Sequence, residues 1–69
     1  MKQYVKNNVA ILRKEKGITQ EEFSDGVGVS RQTVIAIEKG NYIPSLLLGL
    51  KIAKFFKKDV EEVFSYHEK

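Results

Sequence analysis

Thr19-Gln20-Glu21-Glu22-Phe23-Ser24-Asp25-Gly26-Val27-Gly28, then Val29, then Ser30-Arg31-Gln32-Thr33-Val34-Ile35-Ala36-Ile37-Glu38-Lys39-Gly40, is the stretch that decides the fold. Thr19 followed three residues later by Glu22 is a capping box, in which each side chain satisfies a free backbone N–H at the start of a helix. Phe23 and Val27 then fall on one face at an i,i+4 step, and Gly26 and Gly28 end the helix quickly. Ser30 caps a second helix from Arg31 to about Lys39, with Val34 and Ile37 turned to the core and Gly40-Asn41 as the stop. Only Val29 separates the closing glycine from the next cap, so the two helices are joined by a tight turn.

Working outward, Asn7 or Asn8 caps a preceding helix with Val9, Leu12 and Val5 as candidate inner residues, and Gly17 stands in the closing position after Lys14 and Lys16. Downstream, Pro44-Ser45 opens a fourth helix to about Lys57 or Lys58, with Leu46, Leu50, Ala53 and Phe56 or Lys57 stepping along one side. Asp59 begins a short fifth helix to Phe64, its acids in the first turn where the helix dipole favours them. The expected fold is all-α, a compact five-helix bundle over residues 1–69. The β-prone ends, Gln3-Tyr4-Val5 and Phe64-Ser65-Tyr66-His67, either fray or pair as a two-stranded ribbon.

Composition narrows the function. Sixty-nine residues, 42% hydrophobic and 30% charged, suit one small domain and exclude most enzymes. With no Cys and a single His, His67, neither a disulfide framework nor a metal cluster is expected. No nucleophile–base pair or phosphate-cradling glycine loop can be assembled, and Glu21, Glu22 and Asp25 read as a solvated acidic face. The longest apolar run, Ile43 to Leu50, is interrupted by Pro44, Ser45 and Gly49, so a cytoplasmic location is the default, and too few anchoring aromatics on the Lys51, Lys54, Lys57 and Lys58 edge argue against a membrane-surface role. The net charge of +3 is distributed in blocks: residues 1–16 and 45–58 are basic, 17–28 and 59–69 acidic. Any contact with nucleic acid is therefore a narrow stripe.

Two short helices with a glycine turn form either a generic hairpin or a helix-turn-helix, whose second helix enters the major groove. Ser30-Arg31-Gln32-Thr33 places an Arg, a Gln and two hydroxyls in the first turn of that second helix, and Arg and Gln read guanine and adenine bidentately. The stretch Ile18 to Phe23, Gly28 to Val34 and Ile37 to Gly40, extended by Pro44-Ser45-Leu46 and Lys51-Ile52-Ala53-Lys54, resembles the phage repressor and Cro-like (XRE-type, lambda repressor-like) family of helix-turn-helix regulators over about residues 7–64. The resemblance implies base reading by Arg31, Gln32 and Ala36. It implies backbone or mixed contacts by Gln20, Ser30, Thr33, Lys39, Asn41 and Tyr42, with Gln20 also bracing the reading helix. It further implies a partly buried ion pair between Arg13 and Glu38. Departures from the pattern are Ser24 for alanine, Gly26 at a polar helical position, Ile35 where a polar residue is usual, and Gly49 for a larger apolar residue, leaving room for a ring such as Phe55 or Phe56.

The family's shortest members are dimeric repressors, so the expected function is a sequence-specific regulator that binds double-stranded DNA as a homodimer on a near-palindromic operator. An antitoxin or adapter of the same fold, acting through a protein partner, is the alternative. No cofactor and no small-molecule effector are expected, because the chain has no room for a separate sensing domain. Helix four carries two apolar stripes, Leu46–Leu50–Ala53 and Leu48–Ile52–Phe55, more than one small bundle easily buries. The expected dimer interface draws on Phe55, Val60, Val63, Phe64 and Tyr66, with Leu47 at its edge; the alternative for some of these side chains, Phe64 above all, is to complete the monomer core, the usual place of the family's last aromatic.

Overall fold

The computed structural model describes residues 1–69. In chain order the elements are β1 (Gln3–Asn7), α1 (Val9–Lys16), α2 (Gln20–Val27), α3 (Arg31–Glu38), α4 (Leu46–Phe55), α5 (Val60–Val63) and β2 (Phe64–Glu68). The five helices are present, but the fold is not strictly all-α. β1 and β2 pair antiparallel, Gln3 opposite Glu68 through Asn7 opposite Phe64, so the two ends of the chain close on each other as a ribbon. Val5 consequently belongs to a strand and not to the inner face of α1.

Each helix begins and ends where local chemistry permits. Thr19 Oγ1 accepts from the Glu22 N–H while Glu22 Oε1 accepts from the Thr19 N–H, closing the capping box of α2. Ser30 and Ser45 accept from the N–H groups of Thr33 and Leu48 in the same way. Gly17 and Gly28 end α1 and α2 in the left-handed region, both at φ 76°, where a Cβ would be strained. At the start of α1 neither asparagine is a simple cap. Asn8 has no capping bond, whereas Asn7 Oδ1 accepts from the Val9 N–H and its amide nitrogen donates to the carbonyl of Ile37 at the end of α3.

Val9, Phe23, Val27, Val34, Ile37, Leu48, Ile52, Ala53 and Val63 form one buried apolar cluster. The inner stripe of α4 is therefore Leu48, Ile52 and Ala53, not the expected Leu46–Leu50 line, which is 74% and 49% exposed. Most of the expected dimer surface is taken up by the protomer itself. Val63 is only 1% exposed, within the protomer's own core. Phe55 is half-buried, its ring edge-on to Phe23 at 5.2 Å and to Phe56 at 5.2 Å, so it too completes the protomer. Val60 and Phe64 are half-buried against the core, and only Leu47 and Tyr66 stand fully on the surface.

Two helical glycines admit rings, though not as the sequence suggests. A Cβ on Gly26 would lie 2.5 Å from the Phe55 ring, while one on Gly49 would lie 3.8 Å from Phe64, an ordinary contact. Phe55 is held between Phe23 and Phe56 and has little freedom to retreat. Gly26→Ala should therefore destabilise by about 1–2 kcal/mol despite the gain in helix propensity, and Gly49→Ala should stabilise by roughly 0.5–1 kcal/mol. Urea denaturation followed by circular dichroism reads both, and equal shifts of one sign would contradict this packing.

Candidate nucleic-acid interface

The surface of interest is α3, and its geometry starts from what holds it. Val34 and Ile37 are fully buried on its inner side, fixing which face is turned out. Its last helical residue, Glu38, forms an ion pair with Arg13 of α1, Nε to Oε2 at 2.7 Å, with a second bond from the other side of the guanidinium to Oε1 at 3.2 Å. Exposures of 11% and 7% place both side chains mostly out of water. Arg13 also donates to the carbonyl of Ile18, and Gln20 Nε2 donates to Glu38 Oε1 at 3.0 Å, so one carboxylate ties together α1, α2 and α3. Burial alone would raise the pKa of Glu38. Hydrogen bonds from Arg13 and Gln20, with the charge of Arg13, outweigh it and hold the carboxyl below its ordinary value. The Arg13 guanidinium is correspondingly raised, chiefly by its hydrogen bond to Glu38.

Arg31 and Gln32 project into solvent from the first turn of α3, with Thr33 and Ala36 half-exposed beside them. Ser30 and Thr33 share a hydroxyl contact at 3.0 Å. A shallow hollow of about 360 Å³ brings Ser30, Gln32, Thr33 and Ala36 together with Asn41 and Tyr42 from the following loop. A second, wholly polar hollow joins Gln20 to Arg31 beside Arg13, Thr19 and Glu21. Gln20 thus braces α3 through one amide hydrogen and keeps a second for another acceptor. Lys39 is exposed at the end of α3, and Tyr42 is 45% exposed at the rim of the first hollow. Ile35 is half-buried on the flank of α3.

One positioning residue escapes the sequence reading. Asn7 grips the Ile37 carbonyl at 3.0 Å, so the far end of α3 is held from the end of β1 as well as through Glu38. An asparagine before a helix signals a cap, and nothing in its spacing reveals a partner thirty residues away.

Residues 9–63 match the family model described as helix-turn-helix. The chain belongs to that helix-turn-helix family. Its relatives include an uncharacterised HTH-type transcriptional regulator, YgzD, of Bacillus subtilis, 55% identical with 93% of this chain and 97% of that one covered. Another, MJ0272 of Methanocaldococcus jannaschii, is 50% identical over the same shares of the two chains. The cryptic phage CTXphi transcriptional repressor RstR of Vibrio cholerae is 40% identical, covering 83% of this chain and 51% of its own. Among solved structures, a Bacteroides fragilis chain described as a candidate DNA-binding protein superposes with a TM-score of 0.79 over 88% of this chain and 98% of its own. At 21% identity that likeness speaks for the fold alone. The first two of these relatives are described as HTH-type transcriptional regulators. No helix of this member is long and apolar enough to cross a membrane.

Proposed function

We propose that this helix-turn-helix protein is a sequence-specific repressor, acting in the cytoplasm as one DNA-binding domain that lays α3 in the major groove. The observation that carries this reading is the division of α3: Val34 and Ile37 buried behind, Arg31 and Gln32 free in front, and the helix anchored at its far end by Glu38. A base-reading helix needs that rigidity, since bidentate hydrogen bonds tolerate little displacement. Arg31 reads a guanine, Gln32 an adenine, and the Ala36 methyl packs on a thymine methyl. Gln20, Ser30, Thr33, Lys39, Asn41 and Tyr42 surround these and contact sugar and phosphate, which sets register. Two copies related by a two-fold axis bind half-sites about one helical turn apart on a near-palindromic operator. Occupation of promoter DNA then blocks transcription, a reading favoured by the 40% identity to a phage repressor. No cofactor or effector takes part.

Two variants separate base reading from backbone contact. Gln32→Ala should lose about 1–3 kcal/mol at one base position and relax the preference there. Lys39→Ala should weaken binding to all sequences and reduce the slope of affinity against salt by roughly one unit. Competition binding on the selected operator and on single-base variants, at several salt concentrations, checks both. Unchanged operator and scrambled-DNA affinities in Gln32→Ala would remove α3 from the reading role.

A further inference from the structure

The longest stretch without a charged residue is Gly40 to Leu50, in a chain of which 30% is charged. It contains five of the eight large hydrophobic side chains that stand exposed, among them Ile43 at 61%, Leu46 at 74%, Leu47 at 71% and Leu50 at 49%. The core does not use them, because α4 turns Leu48, Ile52 and Ala53 inward. Beside this ridge lies an apolar hollow of about 160 Å³, bordered by Ile43 and Leu46 and walled by Val5, Gly49, Val60 and Phe64. Tyr66 pairs with Val5 across the ribbon, so its 59% exposed side chain projects from the same ribbon face and continues the surface.

We propose that this ridge and hollow are the contact between two copies of the chain, the Leu46–Leu47 ridge of each entering the hollow of the other. The assignment rests on the two-fold assembly proposed above and says where it is made. A two-fold contact uses one patch twice and must be self-complementary, and here projection and hollow lie side by side in one patch. The four aliphatic side chains alone present on the order of 500 Å² per copy, so two copies with their rims pass the roughly 1,000 Å² that a specific interface requires. Charge favours the same occupant. Lys54, Lys57 and Lys58 line one open groove together with Asp59 and Glu62 next to Leu50, so the rim offers both signs for pairing with a second copy. DNA is a poor occupant, because the ridge and hollow themselves hold no cation to neutralise phosphate, and the lysines of the rim share their groove with carboxylates. The patch follows Asn41 and Tyr42 directly in the chain, so the same loop that borders the reading face enters the dimer contact.

Sedimentation velocity of wild type, Leu46→Glu, Leu47→Glu and Ile11→Glu, from sub-micromolar to tens of micromolar, tests the assignment. A carboxylate in the first turn of α4 is favoured by the helix dipole, so both leucine variants should keep the wild-type circular dichroism spectrum. Ile11, 57% exposed on α1, is the control outside the patch. The expected result is a dimeric wild type and Ile11→Glu, with self-association weakened at least about 100-fold in Leu46→Glu and Leu47→Glu. A monomeric wild type at tens of micromolar, or dimers undisturbed in both folded leucine variants, overturns it. Half-site binding measured in parallel keeps the two readings apart: selective half-site binding by the monomeric variants supports this location, and dimers that survive Leu47→Glu while still discriminating operator overturn the location alone.

Discussion

Arg13→Ala is expected to lower the free energy of unfolding by about 3 kcal/mol or more, against the roughly 3–10 kcal/mol available to a domain of this size. The effect is large because removal of the guanidinium strands the Glu38 carboxylate, 7% exposed, with only the amide of Gln20 for a partner. Glu38→Ala strands the reverse charge and should also cost about 3 kcal/mol, although Arg13 keeps its bond to the Ile18 carbonyl. Both losses fall on the junction that fixes α3, so operator affinity should drop in the surviving folded fraction as well. The pair also predicts a pH dependence. Because the folded-state pKa of Glu38 lies below its ordinary value, the stability it confers is fully present above the ordinary carboxylate range and is lost as pH falls through the folded value. Glu38→Gln should accordingly fall short of wild type at neutral pH and approach it in acid. Urea titrations of the three variants at neutral and acid pH check these outcomes, and unchanged midpoints in Arg13→Ala and Glu38→Ala would contradict the buried pair.

Val63→Glu is expected to abolish the cooperative fold. Val63 is 1% exposed in the apolar cluster, and its carbonyl accepts from the Asn8 N–H at 2.9 Å where the ribbon meets α1. A carboxylate there loses roughly 1.5–3 kcal/mol of apolar burial and pays several more for desolvation without a partner. The sum approaches the whole stability of the domain. Leu47→Glu, sixteen residues earlier in the chain and on the open side of the bundle, should remain folded. Thermal melts and the dispersion of amide proton resonances distinguish the two, and a folded Val63→Glu monomer would return Val63 to the interface and contradict the core described here.

What the sequence made legible was mostly local chemistry. Thr19 with Glu22, Ser30, Ser45, Gly17 and Gly28 each satisfy or release backbone groups within a few residues, so the limits of α2 and α3 and the outward placement of Arg31 and Gln32 could be read from neighbours. The facing of α4 could not. Leu46, Leu47, Leu48 and Leu50 are apolar almost all round the helix, and a pattern without contrast carries no phase. Tertiary contacts decided it: Leu48 and Ile52 meet the core, which leaves Leu46, Leu47 and Leu50 outside. The glycines failed for a related reason. Gly26 stands out in the sequence only as a glycine at a polar helical position, and only the fold brings Phe55 against it, while the ring above Gly49 is Phe64 from β2. The ribbon remained open because its strands lie at opposite ends of the sequence, each short and neutral on whether to pair.

Selection of DNA fragments by the purified protein, followed by footprinting of the selected site at near-physiological salt, tests the central claim most directly. The account predicts two protected half-sites about one helical turn apart on one face of the duplex, bound at least about a thousandfold more tightly than scrambled DNA, with the preference at one base pair in each half lost in Gln32→Ala. Equal affinity for selected and scrambled DNA, falling together as salt rises, would contradict a reading role for α3 and leave only backbone attraction.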